Sequence, residues 1–334
     1  MIRLEDVAKD SGFSRATVSR VINDESKVHP ETAKLIRASM EKLGYKPNLI
    51  ARALSSGRKN AVALLLPDVT SFYYTNLIRG AGDAAEDVHY HVITKSISKP
   101  NLAEELMNSN LVDGFIIRHS RFSERIDRLL KNCIKKKTPV VFIGKPFNEY
   151  TCPSIVVDNV GGARKMAHFF AKNNYRRILF IGGRHDNLDS NDRKFGFRLG
   201  LEESGFPLQN LVEVEGDFSR ERGYEIARTY LSDRSFDAVF AANDESAMGV
   251  LLYLNECNIR IPEEVSVAGF DDTFFAEYLW PPLTTIRQPM YDIGHIAMTL
   301  VLRMINEIPH NGNETILPTE LVVRRSCKVE STRL

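Results

Sequence analysis

Leu4-Glu5-Asp6-Val7-Ala8-Lys9-Asp10-Ser11-Gly12-Phe13-Ser14-Arg15-Ala16-Thr17-Val18-Ser19-Arg20-Val21-Ile22-Asn23 reads as two short helices about a tight turn. Leu4, Val7 and Ala8 recur at helical spacing, and Gly12 interrupts them where the chain must turn without a Cβ in the way. Ser14 stands in an N-cap position, and Val18, Val21 and Ile22 then line the inner face of the second helix. Its outer face carries Arg15, Ala16, Ser19 and Arg20. Small residues let such a helix lie deep in a major groove, and guanidinium groups bond guanine edges in pairs. The competing reading is an ordinary helical hairpin with solvated arginines.

Working outward, Pro30 begins a third helix that covers the first two with Leu35, Ile36 and Leu43 and stops at Gly44. Three helices then close a small core of about 45 residues. Pro47 and Gly57 bracket a further helical stretch of about eight residues, shorter than an isolated helix can sustain in water. Its stripe of Ile50, Ala51 and Leu54 predicts a linker that orders when paired, as a hinge would, and a plain tether is the alternative.

Net charge over the 334 residues is +1, but it is unevenly spread. Residues 1–59 hold 12 Lys or Arg against 7 Asp or Glu, net +5; the remainder holds 32 against 36, net −4. The basic excess therefore sits with the helical hairpin, as phosphate attraction requires. No apolar run approaches the roughly 18 residues of a membrane span, and the first residues lack a signal-peptide layout. A cytoplasmic protein without a membrane partner is expected. Cys133, Cys152, Cys257 and Cys327 are too scattered for a zinc site or a disulfide framework.

From Asn60 the texture changes to apolar runs of strand length at 61–66, 90–94, 114–117, 139–143, 154–157, 177–181, 238–241 and 265–270. Helical patterns fall between them, among others at 77–88, 161–173, 195–204, 223–232 and 246–257. Wholly apolar strands alternating with helices predict parallel sheets covered on both faces, and their number predicts two sheets. Ligands of such sheets sit beyond the C-terminal ends of the strands. Those ends read Asp68 to Tyr74, His119-Ser120-Arg121, Gly144-Lys145, Asp186 to Arg193, Asn243-Asp244 and Asp271-Asp272. Aromatic faces beside planar hydrogen-bonding groups suit a sugar. Each residue also has a structural reading: Asn243 or Asp244 as a helix cap, the Asp pair as a turn, Phe72 and Tyr73 as core. Trp280 suits either the cleft rim or a dimer contact. Nucleophile, P-loop, dinucleotide and metal-spacing motifs are absent, so no catalytic residue, metal or cofactor is expected.

The ordered segments Asp6-Val7-Ala8, Thr17-Val18-Ser19-Arg20-Val21-Ile22-Asn23, Gly44-Tyr45-x-Pro47-Asn48 with Ala51-Arg52-x-Leu54, Val112-Asp113-Gly114, Asp192-Arg193-x-x-Gly196-Phe197, Ala242-Asn243-Asp244, Gly269-Phe270-Asp271-Asp272 and Pro281-Pro282-Leu283-Thr284-Thr285 resemble the LacI/GalR family of sugar-responsive transcription regulators over essentially the whole chain. The resemblance implies an α/β architecture: a helix-turn-helix headpiece (1–46), a hinge helix and linker (47–59), and a periplasmic-binding-protein-like core (60–334). The core divides into one subdomain of about 60–158 plus 287–317 and another of about 159–286 plus 318–332. It further implies a homodimer on a near-palindromic operator of double-stranded DNA, with a small sugar as effector. DNA contacts carry over to Ser14, Arg15, Ala16, Thr17, Ser19, Arg20, Asn23, Tyr45, Asn48, Ala51 and Leu54, the last inserting into the minor groove. Effector contacts carry over to Phe72, Tyr73, Ser120, Lys145, Asp189, Arg193, Phe218, Asn243, Asp271 and Gln288. Phe142-Ile143-Gly144-Lys145-Pro146-Phe147 and Val157-Asp158-Asn159 look similar to maltose-operon repressors, which implies release by maltose or another α-glucoside. A different sugar, a corepressor of opposite sign, or a sugar-binding protein without regulatory role are the alternatives.

Overall fold

The computed structural model describes residues 2–23, 25–45, 59–97, 105–106, 111–121, 123–145, 152–309 and 314–330. The expected hinge helix, with Asn48, Ala51 and Leu54, falls outside these residues, as does the side chain of Asn23. The chain forms two compact units, 1–61 with 107–113 and 62–106 with 114–334.

In the first unit, helices α1 (Leu4–Ser11), α2 (Arg15–Asn23) and α3 (Pro30–Leu43) bury Val7, Val18, Val21, Ala33 and Ile36 between them. Gly12 takes φ 75° after α1 and Gly44 takes φ 63° after α3, the left-handed region that lets both helices stop. Ser14 Oγ accepts the Thr17 N–H at 3.1 Å and so caps α2. Asp10 ties α1 to α3 by accepting from Ser39 Oγ and Lys42 Nζ, each at 2.7 Å.

The second unit holds two main sheets. Strands β1 (Ala61–Leu66), β2 (His91–Ser96), β3 (Gly114–Arg118), β4 (Val140–Ile143), β5 (Ser154–Val157) and β11 (Glu314–Leu317) are ordered β11-β5-β4-β3-β1-β2. Strands β6 (Ile178–Ile181), β7 (Leu211–Val214), β8 (Ala238–Ala241) and β9 (Ser266–Ala268) are ordered β7-β6-β8-β9, with parallel pairing throughout. A short antiparallel pair joins β10 (Thr285–Arg287) to β12 (Glu320–Val322). Among the described residues no apolar run announced β7, β10, β11 or β12; the residues of β7, β11 and β12 are partly buried or exposed, and β10 is only three residues long.

Helices α4 (Thr75–Glu86), α5 (Glu124–Lys136) and α10 (Met290–Ile305) accompany the larger sheet. Helices α6 (Asn159–Lys172), α7 (Leu188–Glu203), α8 (Arg220–Tyr230) and α9 (Asp244–Glu256) accompany the smaller one. Side-chain alternation sends Leu179 and Ile181 into one core cluster and Ile178 and Phe180 into another, so this sheet is covered on both faces. Among the described residues no helix is long and apolar enough to cross a membrane.

Helices α4 and α10 touch backbone to backbone. A Cβ at Gly80 would fall 2.0 Å from the Tyr291 carbonyl oxygen, and one at Gly294 would fall 2.0 Å from that of Leu77. Gly80→Val should therefore force the helices apart and cost about 2–3 kcal/mol. Urea unfolding of the full chain checks this, and an unchanged midpoint would contradict the packing.

Candidate functional site

The ends of both parallel sheets converge on a cavity of about 380 Å³, within the size range of small-ligand sites. Its lining includes Asp68, Tyr73, Arg118, Ser120, Asn187, Asp189, Arg193, Phe218, Asn243, Glu245 and Asp271. Each is held by a local device. Ser71 Oγ accepts the Tyr73 N–H at 3.3 Å and starts a 3₁₀ turn that carries Tyr73. Asn187 caps α7 by accepting the Ser190 N–H at 3.0 Å, so Asp189 and Arg193 project from the first two turns of that helix. The helix expected at 195–204 begins at Leu188, because the polar residues ahead of it form a cap rather than a loop. Asn243 takes the cap position of its structural reading: Oδ1 caps α9 through the Ser246 N–H at 3.1 Å, while Nδ2 donates to the Phe218 carbonyl at 2.9 Å.

A relay of side chains links residues of the cavity lining through Gln288 and Asn159, which stand outside it. Tyr73 OH donates to Gln288 Oε1 at 3.1 Å, and Gln288 Nε2 donates to Asp271 Oδ1 at 2.6 Å. Arg193 Nη1 reaches the same Oδ1 at 3.2 Å and the Ala242 carbonyl at 2.5 Å, while its Nε reaches Asn159 Oδ1 at 2.9 Å. Asn159 Nδ2 donates to Asp189 Oδ1 at 3.1 Å, and Arg118 Nη2 closes the chain on Asp189 Oδ2 at 2.6 Å. Of the two ends, Arg118 closes a strand of the larger sheet and Tyr73 stands on the 3₁₀ turn that follows β1 of that sheet, whereas Asp189, Arg193 and Asp271 belong to elements that accompany the smaller one. Burial works to raise the Asp189 carboxyl, but the Arg118 and Arg193 charges outweigh it and hold it below the ordinary carboxylate range.

Phe218 adds an apolar face. Its φ is 72°, and its ring lies where a Cβ on Gly183 would stand, 2.6 Å from the nearest ring atom. The Arg193 guanidinium is 5.9 Å from the ring centroid. Half-exposed rings beside paired donors and acceptors fit the C–H face and hydroxyls of a sugar.

Of the residues expected to meet an effector, Tyr73, Ser120, Asp189, Arg193, Phe218, Asn243 and Asp271 line the cavity. Phe72, Lys145 and Gln288 stand outside the lining. The Phe72 ring packs edge-on against Phe274 with centroids 5.1 Å apart, Lys145 pairs with Asp192 at 2.6 Å, and Gln288 lies behind Asp271. Asp271 and Asp272 both take positive φ, 123° and 54°, and only Asp271 lines the cavity; Asp272 pairs with Arg287 and Arg324, each at 2.7 Å. Arg118 and Glu245 escaped the sequence reading. A charged last residue on the otherwise apolar strand 114–118 was the available signal for Arg118. Trp280 lies outside the lining, with the Arg325 guanidinium 5.4 Å from its ring centroid.

His119 carries a pH consequence. Burial pulls its imidazole down to about 4 from the ordinary 6.5, and the Arg118 and Arg121 cations pull the same way. The folded chain thus stays neutral there while the unfolded chain takes up a proton below pH 6.5, so stability is full above 6.5 and is lost as the pH falls toward 4. The loss should be about 1–3 kcal/mol in the native chain and smaller in His119→Gln. Denaturant titrations of both at pH 7 and pH 4.5 check it; equal losses would contradict it.

The described residues expected to meet DNA lie in the first unit. Ser14 is exposed at the cap of α2 and Arg15, Ala16 and Arg20 are exposed on the helix itself, Thr17 and Ser19 are half-buried, and Tyr45 follows α3 and packs partly against the small core. Arg15 pairs with Glu5 at 3.2 Å, with both side chains largely in solvent.

Residues 3–48 match the model of bacterial regulatory proteins of the lacI family, and residues 167–327 match a periplasmic binding protein-like domain. The chain is 31% identical to the HTH-type transcriptional regulator RegA of Clostridium saccharobutylicum over 97% of its own length and 98% of that protein. It is 32% identical to Catabolite control protein A of Priestia megaterium over 98% of its length and 99% of the relative. Among solved structures, the transcriptional regulator CelR–cellobiose complex superposes with a TM-score of 0.73 at 28% identity, covering 98% of this chain and 100% of the other.

Proposed function

This chain belongs to the lacI family of bacterial regulatory proteins, and on that premise we propose that it is a homodimeric repressor of carbohydrate-utilisation genes, released from a near-palindromic operator by maltose or a related α-glucoside. At the level of the family it is a sequence-specific DNA-binding regulator that answers to a small molecule, and not an enzyme. A protein that acts on operator DNA works in the cytoplasm.

The observation that carries the sugar reading is the relay from Tyr73 to Arg118. It stitches elements of the two sheets across one cavity, so a ligand bridging the same groups exchanges internal hydrogen bonds for its own and biases how the sheets sit together. A polyhydroxyl ligand matches that mixture of donors and acceptors, and Phe218 supports its apolar face. In this reading Tyr73, Ser120, Asp189, Arg193, Phe218, Asn243 and Asp271 hold the sugar. Ser14, Arg15, Ala16, Thr17, Ser19 and Arg20 face the major groove, and the 47–59 segment carries the signal between them. Trp280 goes to the dimer contact.

The α-glucoside assignment is tested by displacement. A labelled duplex selected by the protein from a random-sequence pool is bound at fixed salt, then challenged with maltose, trehalose, sucrose, cellobiose and glucose. Release by maltose-type sugars alone supports the proposal. Release by cellobiose alone would move the assignment to β-glucosides, the linkage of the sugar in the CelR complex.

A further inference from the structure

We propose that Asp113 is a positioning residue for regulation: it clamps the chain at Lys59 and Asn60, where the segment tied to the headpiece enters β1. The inference rests on the regulator reading above. Lys59 N–H donates to both carboxylate oxygens of Asp113, at 3.1 and 3.0 Å, and Asn60 N–H donates to Oδ2 at 2.8 Å. Lys59 Nζ lies 3.8 Å from Oδ1. In return the Asp113 N–H donates to the Ala61 carbonyl at 2.8 Å. Asn60 takes φ 50°, the conformation that turns two successive N–H groups toward one anion. The Asp113 side chain is only 8% exposed, so these bonds are shielded from competing water.

What gives the clamp a role beyond stability is the pair of strands it joins. Ala61 opens β1 and Gly114 opens β3, and the two strands run parallel in register from Val62 opposite Gly114 to Leu65 opposite Ile117. Every residue of both is buried. At the opposite end β1 leads into Asp68 and Tyr73, while β3 ends in Arg118, the two termini of the cavity relay. The same two strands thus lead into effector-facing groups at their C-terminal ends and follow directly from the clamp at their N-terminal ends. A close-packed strand pair moves as a body, so a shift imposed on Tyr73 and Arg118 arrives at Lys59 and Asn60 only while Asp113 holds them.

Asp113→Asn keeps the shape but replaces one acceptor oxygen with a donor facing N–H groups. Asn60→Val puts a β-branched residue at positive φ, and Asn60→Gly leaves that conformation free. Two quantities are measured on each full-length variant: affinity for the releasing sugar without DNA, and operator affinity with and without that sugar. Asp113→Asn and Asn60→Val should keep sugar affinity within about threefold of the native protein, weaken operator binding about tenfold or more, and shrink the sugar-driven change in operator affinity. Asn60→Gly should behave as the native protein. Native operator affinity and response in Asp113→Asn would overturn the clamp, as would equal behaviour of Asn60→Val and Asn60→Gly. If Asp113→Asn fails to fold, the Asn60 pair decides. Should the native protein respond to no sugar, the effector reading fails, and the operator affinities of the variants still decide the clamp.

Discussion

Arg193→Met should weaken sugar binding by about a hundredfold or more while leaving a folded headpiece. Arg193 is the hub of the relay: it is 3% exposed, bonds Asn159, Ala242 and Asp271, and lies 3.9 Å from the Phe270 ring centroid. Methionine keeps the stem and much of the volume but removes all three donations. Asp271 then loses its cationic partner and keeps the Gln288 donation, and breaking a buried pair from one side costs about 3–5 kcal/mol. The relay is cut at its centre, so affinity for the releasing sugar should fall by about a hundredfold or more, each charge-assisted bond contributing about 1.5–3 kcal/mol. Calorimetric titration and urea unfolding of the full chain check both numbers. Binding within threefold of the native protein would show that the sugar does not depend on this relay.

The double variant Arg15→Ala, Arg20→Ala should do the reverse. Both side chains stand on the exposed face of α2, away from the core of Val7, Val18, Val21, Ala33 and Ile36. The Arg15–Glu5 pair is solvent-exposed and adds little to stability, so the headpiece should fold as before. If each guanidinium reads a base edge, its loss costs about 1–3 kcal/mol, and operator affinity should fall between about thirtyfold and ten-thousandfold. Sugar affinity in the absence of DNA should not change. Anisotropy titrations at several salt concentrations separate base reading from phosphate contact, because a lost phosphate contact also flattens the salt dependence by about one unit. A uniform loss on all DNA with a flatter slope would reassign both arginines to the backbone.

The contrast between these two sites explains how much was legible in the sequence. The headpiece was readable nearly residue by residue, since Gly12, Ser14, Pro30 and Gly44 mark helix ends by local chemistry alone. The buried strands 61–66 and 238–241 were equally plain, each being apolar throughout. Half-exposed strands such as Leu211–Val214 and Glu314–Leu317 mix polar and apolar residues and announce nothing. Within the cavity, strand ends located the neighbourhood, but the partners did not follow from it. That Lys145 turns to Asp192 and Phe72 to Phe274 depends on residues 47 and 202 positions away in the chain. Arg118 was hidden for the opposite reason, as the final residue of a strand whose other members are all apolar or glycine.

The most direct test of the whole account is a single titration. Native protein is bound to its selected near-palindromic duplex at constant salt, and maltose is added while anisotropy is followed. Release should saturate, with the glucosides of other linkage ineffective at the same concentration. Binding that persists or tightens at saturating maltose would contradict it.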